Sequence, residues 1–94
     1  MDILPPEVIN QKLKILPHWI YKDNYISKEF KTNNFVDAVT FLMKIAVESE
    51  KMDHHPDVLI HSYNKIKIRL STHSKGGVTE IDFKLAGIIE QLFG

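Results

Sequence analysis

Apolar positions recur along the chain at two spacings, every three to four residues and every second residue, and the switches between them mark the elements. Pro5, Pro6 and Glu7 open a helical stretch to about Leu16, with Val8, Ile9, Leu13 and Leu16 on one face. Proline is tolerated in a first turn, where its missing N–H would be unpaired anyway, and Pro17 ends the helix. His18 to Lys22 reads as a strand, Asp23-Asn24 as a turn, and Tyr25 to Lys31 as the returning strand of a hairpin. In the second strand Ile26, Lys28 and Phe30 face opposite to Tyr25, Ser27 and Glu29. Thr32, Asn33 and Asn34 offer N-cap oxygens and Asp37 suits the positive end of a helix dipole. Phe35, Ala38, Val39, Leu42, Ile45 and Ala46 then predict a helix to about Lys51.

The second half repeats the alternation. Val58 to Tyr63 reads as a strand, and Lys65 to Leu70 sets Ile66, Ile68 and Leu70 against Lys65, Lys67 and Arg69. Asn64 between them implies a tight or bulged connection. Ser71 to Gly77 is a loop, and Thr79 with Asp82 forms a capping-box-like pair before Ile81, Leu85, Ile88, Ile89 and Leu92. Strands joined by short turns pair antiparallel. The predicted fold is α+β, α-β-β-α-β-β-α, a four-stranded antiparallel sheet with three helices packed on one face, as a single domain over residues 1–94.

Composition narrows the function. A chain of 94 residues buries about 60–65% of its unfolded surface, and self-association is one common way to add to that, so a homo-oligomer is expected. The absence of cysteine removes disulfides, thiolate metal sites and a cysteine nucleophile, and fits a reducing compartment. Met1 to Pro6 lacks the basic-then-apolar pattern of a signal peptide, and the longest apolar runs fall short of the roughly 20 residues of a membrane helix, so a cytoplasmic protein without a membrane partner is expected. Twelve basic residues balance twelve acidic ones, and Arg69 is the only arginine, so no direct nucleic-acid partner is expected.

Four of the five histidines lie between positions 54 and 73. Histidine can donate and accept protons near neutral pH, which makes the cluster the chief chemical signal. In Glu50-Lys51-Met52-Asp53-His54-His55-Pro56-Asp57, Pro56 biases His55 toward extended backbone, so the two imidazoles diverge. Glu50 and Asp53 are the carboxylates near enough in sequence to orient them. His73 follows the most regular strand, Gly76-Gly77 permits a tight turn, and the first N–H groups of the last helix can meet a ligand oxygen.

The ordered set Glu50, Asp53, His54-His55-Pro56, Tyr63-Asn64, Ser71-Thr72-His73, Gly76-Gly77 and Thr79-x-x-Asp82 resembles the signature of the pterin-4a-carbinolamine dehydratases. The resemblance extends to Trp19, at the place of the family's tryptophan in its first strand, and to Asn34–Met43, which is similar to its central helix. It departs at Asp57 to Ser62, one residue longer than the family's pattern, which inverts the facing of the residues beyond it unless a bulge absorbs the insertion.

The resemblance implies dehydration of a 4a-hydroxytetrahydropterin to the quinonoid dihydropterin, recycling the cofactor of aromatic amino-acid hydroxylases. The pterin is the substrate, and no metal or organic cofactor is implied. His55 and His73 become the principal acid–base groups, with His54 binding the pterin and assisting. Glu50 and Asp53 would orient imidazoles and Asp82 would support His73. Backbone groups of Ser71, Thr72 and Ser74 would bind the pterin edge beside Pro56, and Trp19 would wall the site.

Plainer readings stand beside these. Asp82 and Asp53 suffice as helix caps, Trp19 as a core aromatic, Gly76-Gly77 as a loop, and Lys65, Lys67 and Arg69 as a solvated face; His18 and His61 receive no role. Zinc binding by His54, His55, His61 and His73 is the rival chemistry, although no His-x-x-x-His spacing supports it. A non-catalytic dimerisation or assembly partner of another protein is the rival role.

Overall fold

A computed structural model describes residues 2–94. The elements are α1 (Pro6–Leu13), β1 (Ile20–Lys22), β2 (Tyr25–Lys31), α2 (Phe35–Met52), β3 (Asp57–His61), β4 (Lys65–Leu70) and α3 (Glu80–Phe93), in the predicted order.

Three boundaries differ from the periodic pattern, each for a local reason. α1 ends at Leu13 rather than Leu16, because the chain unwinds through turns in which Leu16 N–H donates to Leu13 O and Trp19 N–H to Leu16 O. His18, in the left-handed region at φ 71°, turns the backbone and delays β1 to Ile20. β3 stops at His61 because Ser62 and Tyr63 are both left-handed, at φ 50° and 55°, and make the turn to β4. The ladder between β3 and β4 runs unbroken from Asp57↔Arg69 to His61↔Lys65. The stretch contains no bulge; Val58 and Ile60 keep the inner face and Leu59 and His61 the outer.

α2 starts where its cap predicts, with Asn34 Oδ1 accepting from Asp37 N–H at 2.8 Å. It ends at Asp53, which is left-handed at φ 51° and donates its N–H back to Glu50 O and Ser49 O.

The sheet order is β1-β2-β4-β3, and every pairing is antiparallel. Ile26, Phe30, Ile66, Ile68 and Leu70 share its inner face and form one buried cluster with Ile9 of α1, Phe41 and Ile45 of α2, and Leu85, Ala86 and Ile89 of α3. All three helices therefore cover the same face. Burial of each such large side chain stabilises the fold by about 1.5–3 kcal/mol. One charge shares that face: Lys28 Nζ reaches Glu90 Oε2 at 2.6 Å and lies 4.5 Å from the centre of the Phe30 ring. The outer face carries Glu29, Lys31, Lys65, Lys67 and Arg69 and faces solvent.

Register also decides what meets at the sheet's ends. Ile26 opposes Leu70 and Arg69 opposes Asp57, so the start of β2, the end of β4 and the start of β3 lie at one end. Both histidine-bearing segments, 53–56 and 71–78, leave the sheet there.

Ile66 is fully buried between Phe30 and Ile60 on its two neighbouring strands. Ile66→Ala is expected to lower unfolding free energy by about 2–5 kcal/mol, measured by denaturant titration. A loss below about 1 kcal/mol would contradict its place in the core.

Candidate functional site

The end of α2 sets His54. After left-handed Asp53, His54 N–H donates to Ser49 O at 3.1 Å, which folds the chain back toward the helix. His54 Nε2 lies 2.5 Å from Oδ1 of Asp82, which is fully buried one turn into α3. Asp82 is the acidic half of a capping box with Thr79. Its Oδ2 accepts from Thr79 N–H at 2.9 Å and from the Thr72 hydroxyl at 2.9 Å; the Thr72 and Thr79 hydroxyls are 2.8 Å apart. The end of α2, the loop after β4 and the start of α3 are thus joined through one carboxylate.

His55, extended ahead of Pro56, diverges from His54 into solvent, where its Nε2 bonds Glu50 Oε2. The two lie at the mouth of a groove of about 230 Å³ between α2 and β3, floored by Leu42, Ile45 and Val58. Pro56 also lines it.

His73 stands exposed at the turn of the 71–78 loop, its ring edge-on to Tyr25 at 6.2 Å. Tyr25 in turn lies 4.1 Å from the Arg69 guanidinium. Thr72 O accepts from Lys75 and Gly76 N–H, and Thr72 N–H donates to Gly77 O. Gly76 is left-handed at φ 76°, and a Cβ on Gly77 would sit 3.1 Å from Ile3. The loop leaves the backbone N–H groups of His73 and Ser74 without an acceptor among the described residues. Ser71 is buried and its hydroxyl donates to Asn24 O at 2.8 Å.

Several expected partnerships come out differently. Asp82 holds His54, not His73. Glu50 meets His55, but the Asp53 side chain makes no hydrogen bond among the described residues and serves as the α2 cap. Trp19 is not brought to the histidines: it is buried edge-on to Phe30, and its Nε1 donates to Glu90 Oε2 at 2.8 Å. Glu90 lies eight residues beyond Asp82 on α3, roughly 12 Å along the axis. Thr72 contributes its side chain where the sequence suggests backbone contacts. Tyr25 and Thr79 join the site with little sequence signal; only the Thr79-x-x-Asp82 spacing points to the latter.

His61 lies on the outer face, its Nε2 2.5 Å from Glu29 Oε1, and that hydrogen bond holds the Glu29 carboxyl below its ordinary 4.5. No group of three or more His, Asp or Glu side chains among the described residues is placed to hold a metal ion. No described helix is long and apolar enough to cross a membrane.

The arrangement defines a class: a small α+β protein with a histidine site at one end of its sheet, one imidazole clamped by a buried carboxylate and two open to solvent. A family model described as pterin 4 alpha carbinolamine dehydratase matches residues 2–92. The chain belongs to that family. A relative from Prochlorococcus marinus (strain NATL2A) is 53% identical over 76 residues, 81% of this chain and 79% of its own. One from Sulfolobus acidocaldarius is 44% identical over 84 residues, 89% of this chain and 91% of its own. The name both bear, pterin-4-alpha-carbinolamine dehydratase, is itself provisional. The crystal structure of a transcriptional coactivator/pterin dehydratase from Brucella melitensis superposes with a TM-score of 0.93 at 35% identity, over 99% of this chain and 100% of that one. A pterin dehydratase-like protein identified as a RuBisCO assembly factor in the alpha-carboxysome shares the fold, with a TM-score of 0.66 at 21% identity over 81% of this chain and 87% of that one.

Removing the charge of a buried, triply bonded carboxylate and replacing one acceptor oxygen by an NH2 weakens both the cap and the clamp. Asp82→Asn is expected to cost about 1–3 kcal/mol in chemical unfolding, whereas Glu50→Gln, at an exposed pair, changes stability by less than about 0.5 kcal/mol. Equal effects would refute this division. The lowered Glu29 group stabilises the fold above its unfolded value of 4.5, and that contribution disappears as pH falls through the lower folded value. Thermal melts of wild type and Glu29→Gln should differ slightly above about pH 5 and converge on acidification below 4.5; a gap that widens on acidification would contradict the assignment.

Proposed function

We propose that the chain dehydrates a 4a-hydroxytetrahydropterin to the quinonoid dihydropterin and water, and so recycles the pterin cofactor of aromatic amino-acid hydroxylases. The observation that carries this reading is the sheet register that brings His54, His55 and His73 out at one end, with His54 clamped by buried Asp82. Loss of the 4a-hydroxyl breaks one C–O bond. A proton goes to the departing oxygen, a ring nitrogen gives up a proton, and the electron pair of that N–H bond becomes the new C=N π bond. These are proton transfers between substrate and imidazoles, and they require no metal or organic cofactor. A positioned group of this kind contributes about 10²–10⁴-fold.

His55 and His73, open to solvent, take the principal acid and base roles. His54, held by Asp82, binds the pterin and assists. The unpaired N–H groups of His73 and Ser74 suit carbonyl and ring-nitrogen acceptors on the pterin edge. Pro56 beside His55 supplies an apolar surface for the flat ring. We place the reaction in the cytoplasm.

α2 presents Phe35, Val36, Val39, Met43 and Val47 to solvent, an apolar stripe at helical spacing. It supports association with a second copy of this chain, as a homodimer or homotetramer. The same stripe favours a second reading, a non-catalytic dimerisation or assembly partner of another protein.

The deciding measurement is the absorbance-followed dehydration of chemically generated 4a-hydroxytetrahydropterin by metal-free protein. Wild type should accelerate it strongly, and His55→Ala and His73→Ala should each lose about 10²-fold or more. A folded wild type no faster than buffer would remove the enzymatic reading and leave the partner role.

A further inference from the structure

The hydrogen bonds around Asp82 have a direction, and that direction places the proton on His54. The backbone N–H of Thr79 donates to Oδ2 of Asp82, and the Thr79 hydroxyl accepts the Asp82 N–H in the capping box. The Thr72 hydroxyl donates to Asp82 Oδ2, so Thr72 Oγ1 accepts at its 2.8 Å contact with Thr79 Oγ1. Thr72 has one hydrogen of its own, and Asp82 Oδ2 at 2.9 Å is the acceptor left for it. A carboxylate that receives these donors on Oδ2 has only acceptor capacity to offer on Oδ1, so His54 must donate through Nε2–H. In neutral His54 the unprotonated nitrogen is therefore Nδ1. That atom has no protein partner among the described residues. It also reaches solvent, because the only buried side-chain nitrogen or oxygen lacking a partner among those residues is Ser49 Oγ.

We infer that Thr72 is a positioning residue of the site: its hydroxyl, donated to Asp82, holds His54 as the tautomer that offers Nδ1 to the substrate. Thr72 is 8% exposed and engages Asp82 and Thr79, so it acts through them rather than on the pterin. Without the hydroxyl, Oδ2 keeps one donor instead of two. The carboxylate then holds His54 with less directional constraint, and the tautomer with its proton on Nδ1 competes. The heavy atoms stay where they are, but the nitrogen facing solvent becomes a donor.

The kinetic arm of this inference rests on the dehydratase reading; the spectroscopic arm does not. Long-range proton–nitrogen correlation spectra of histidine-labelled protein, recorded across a pH series and read on its alkaline plateau, report the tautomer of His54 directly. Wild type and Thr72→Ser should show Nε2 protonated, and Thr72→Val, nearly isosteric without the hydroxyl, should show a substantial Nδ1-protonated fraction. In the dehydration assay Thr72→Val should lose about 10–100-fold in kcat with KM within about twofold, and Thr72→Ser should recover most of it. If Thr72→Val does not fold, Thr72→Ala carries the comparison. An Nδ1-protonated His54 in wild type overturns the inference with no variant needed. A hydroxyl-free variant with the wild-type tautomer and kcat also overturns it, as does a Thr72→Ser as impaired as Thr72→Val with His54 unchanged. Should wild type fail to dehydrate the substrate, the functional reading falls while the His54 spectra still decide the role of Thr72.

Discussion

The carboxylate of Asp82 is fully buried, and a buried charge is tolerated only when its oxygens are bonded. Oδ2 is satisfied by the first backbone N–H of the α3 cap and by the Thr72 hydroxyl, Oδ1 by His54. Meeting that requirement draws three segments together: the end of α2, the loop after β4 and the start of α3. A helix cap is usually worth about 1 kcal/mol and serves only its own helix. Here the same group fixes an imidazole 28 residues away, so local stability and site geometry depend on one side chain.

The sheet makes this economy possible. An antiparallel ladder returns each strand to the end from which its partner began, so the residues before β3 and after β4 emerge side by side. β4 lies between β2 and β3 with Ile66, Ile68 and Leu70 locked into the core, which leaves its register no freedom to slip. The loop that carries His73 is then held by its own turn and by Ser71 on Asn24 O. A small domain thus builds this end without extra elements.

Polar groups are sorted between the two ends of α3. At its start, Asp82 gathers Thr72, Thr79 and His54; near its end, Glu90 gathers Trp19 and Lys28. The second cluster brings a lysine onto the inner face of the sheet and uses the Phe30 ring beside it. It accounts for Trp19 as a core residue with a satisfied indole N–H.

What the sequence determined by itself was local. The period of two in β4, the α2 helix itself, the apolar stripe of α3, the Asn34 cap and the Thr79-x-x-Asp82 spacing each act over a few residues and appear as expected, whereas Phe35 and Val39 of the α2 pattern are exposed. The His54-His55-Pro56 and Thr72-His73 segments stood out as candidate chemistry because residue type and order suffice for that. Left-handed His18, Ser62 and Tyr63 were not legible, since none is a glycine and the turns that impose them are set by how the flanking strands pair. Partner choice was not legible either: whether Asp82 meets His54 or His73, and whether Trp19 joins the site or the core, depends on sheet order and on where α3 crosses it. Those are decided by burying one apolar face against another over long sequence separations, and only the tertiary structure carries that information.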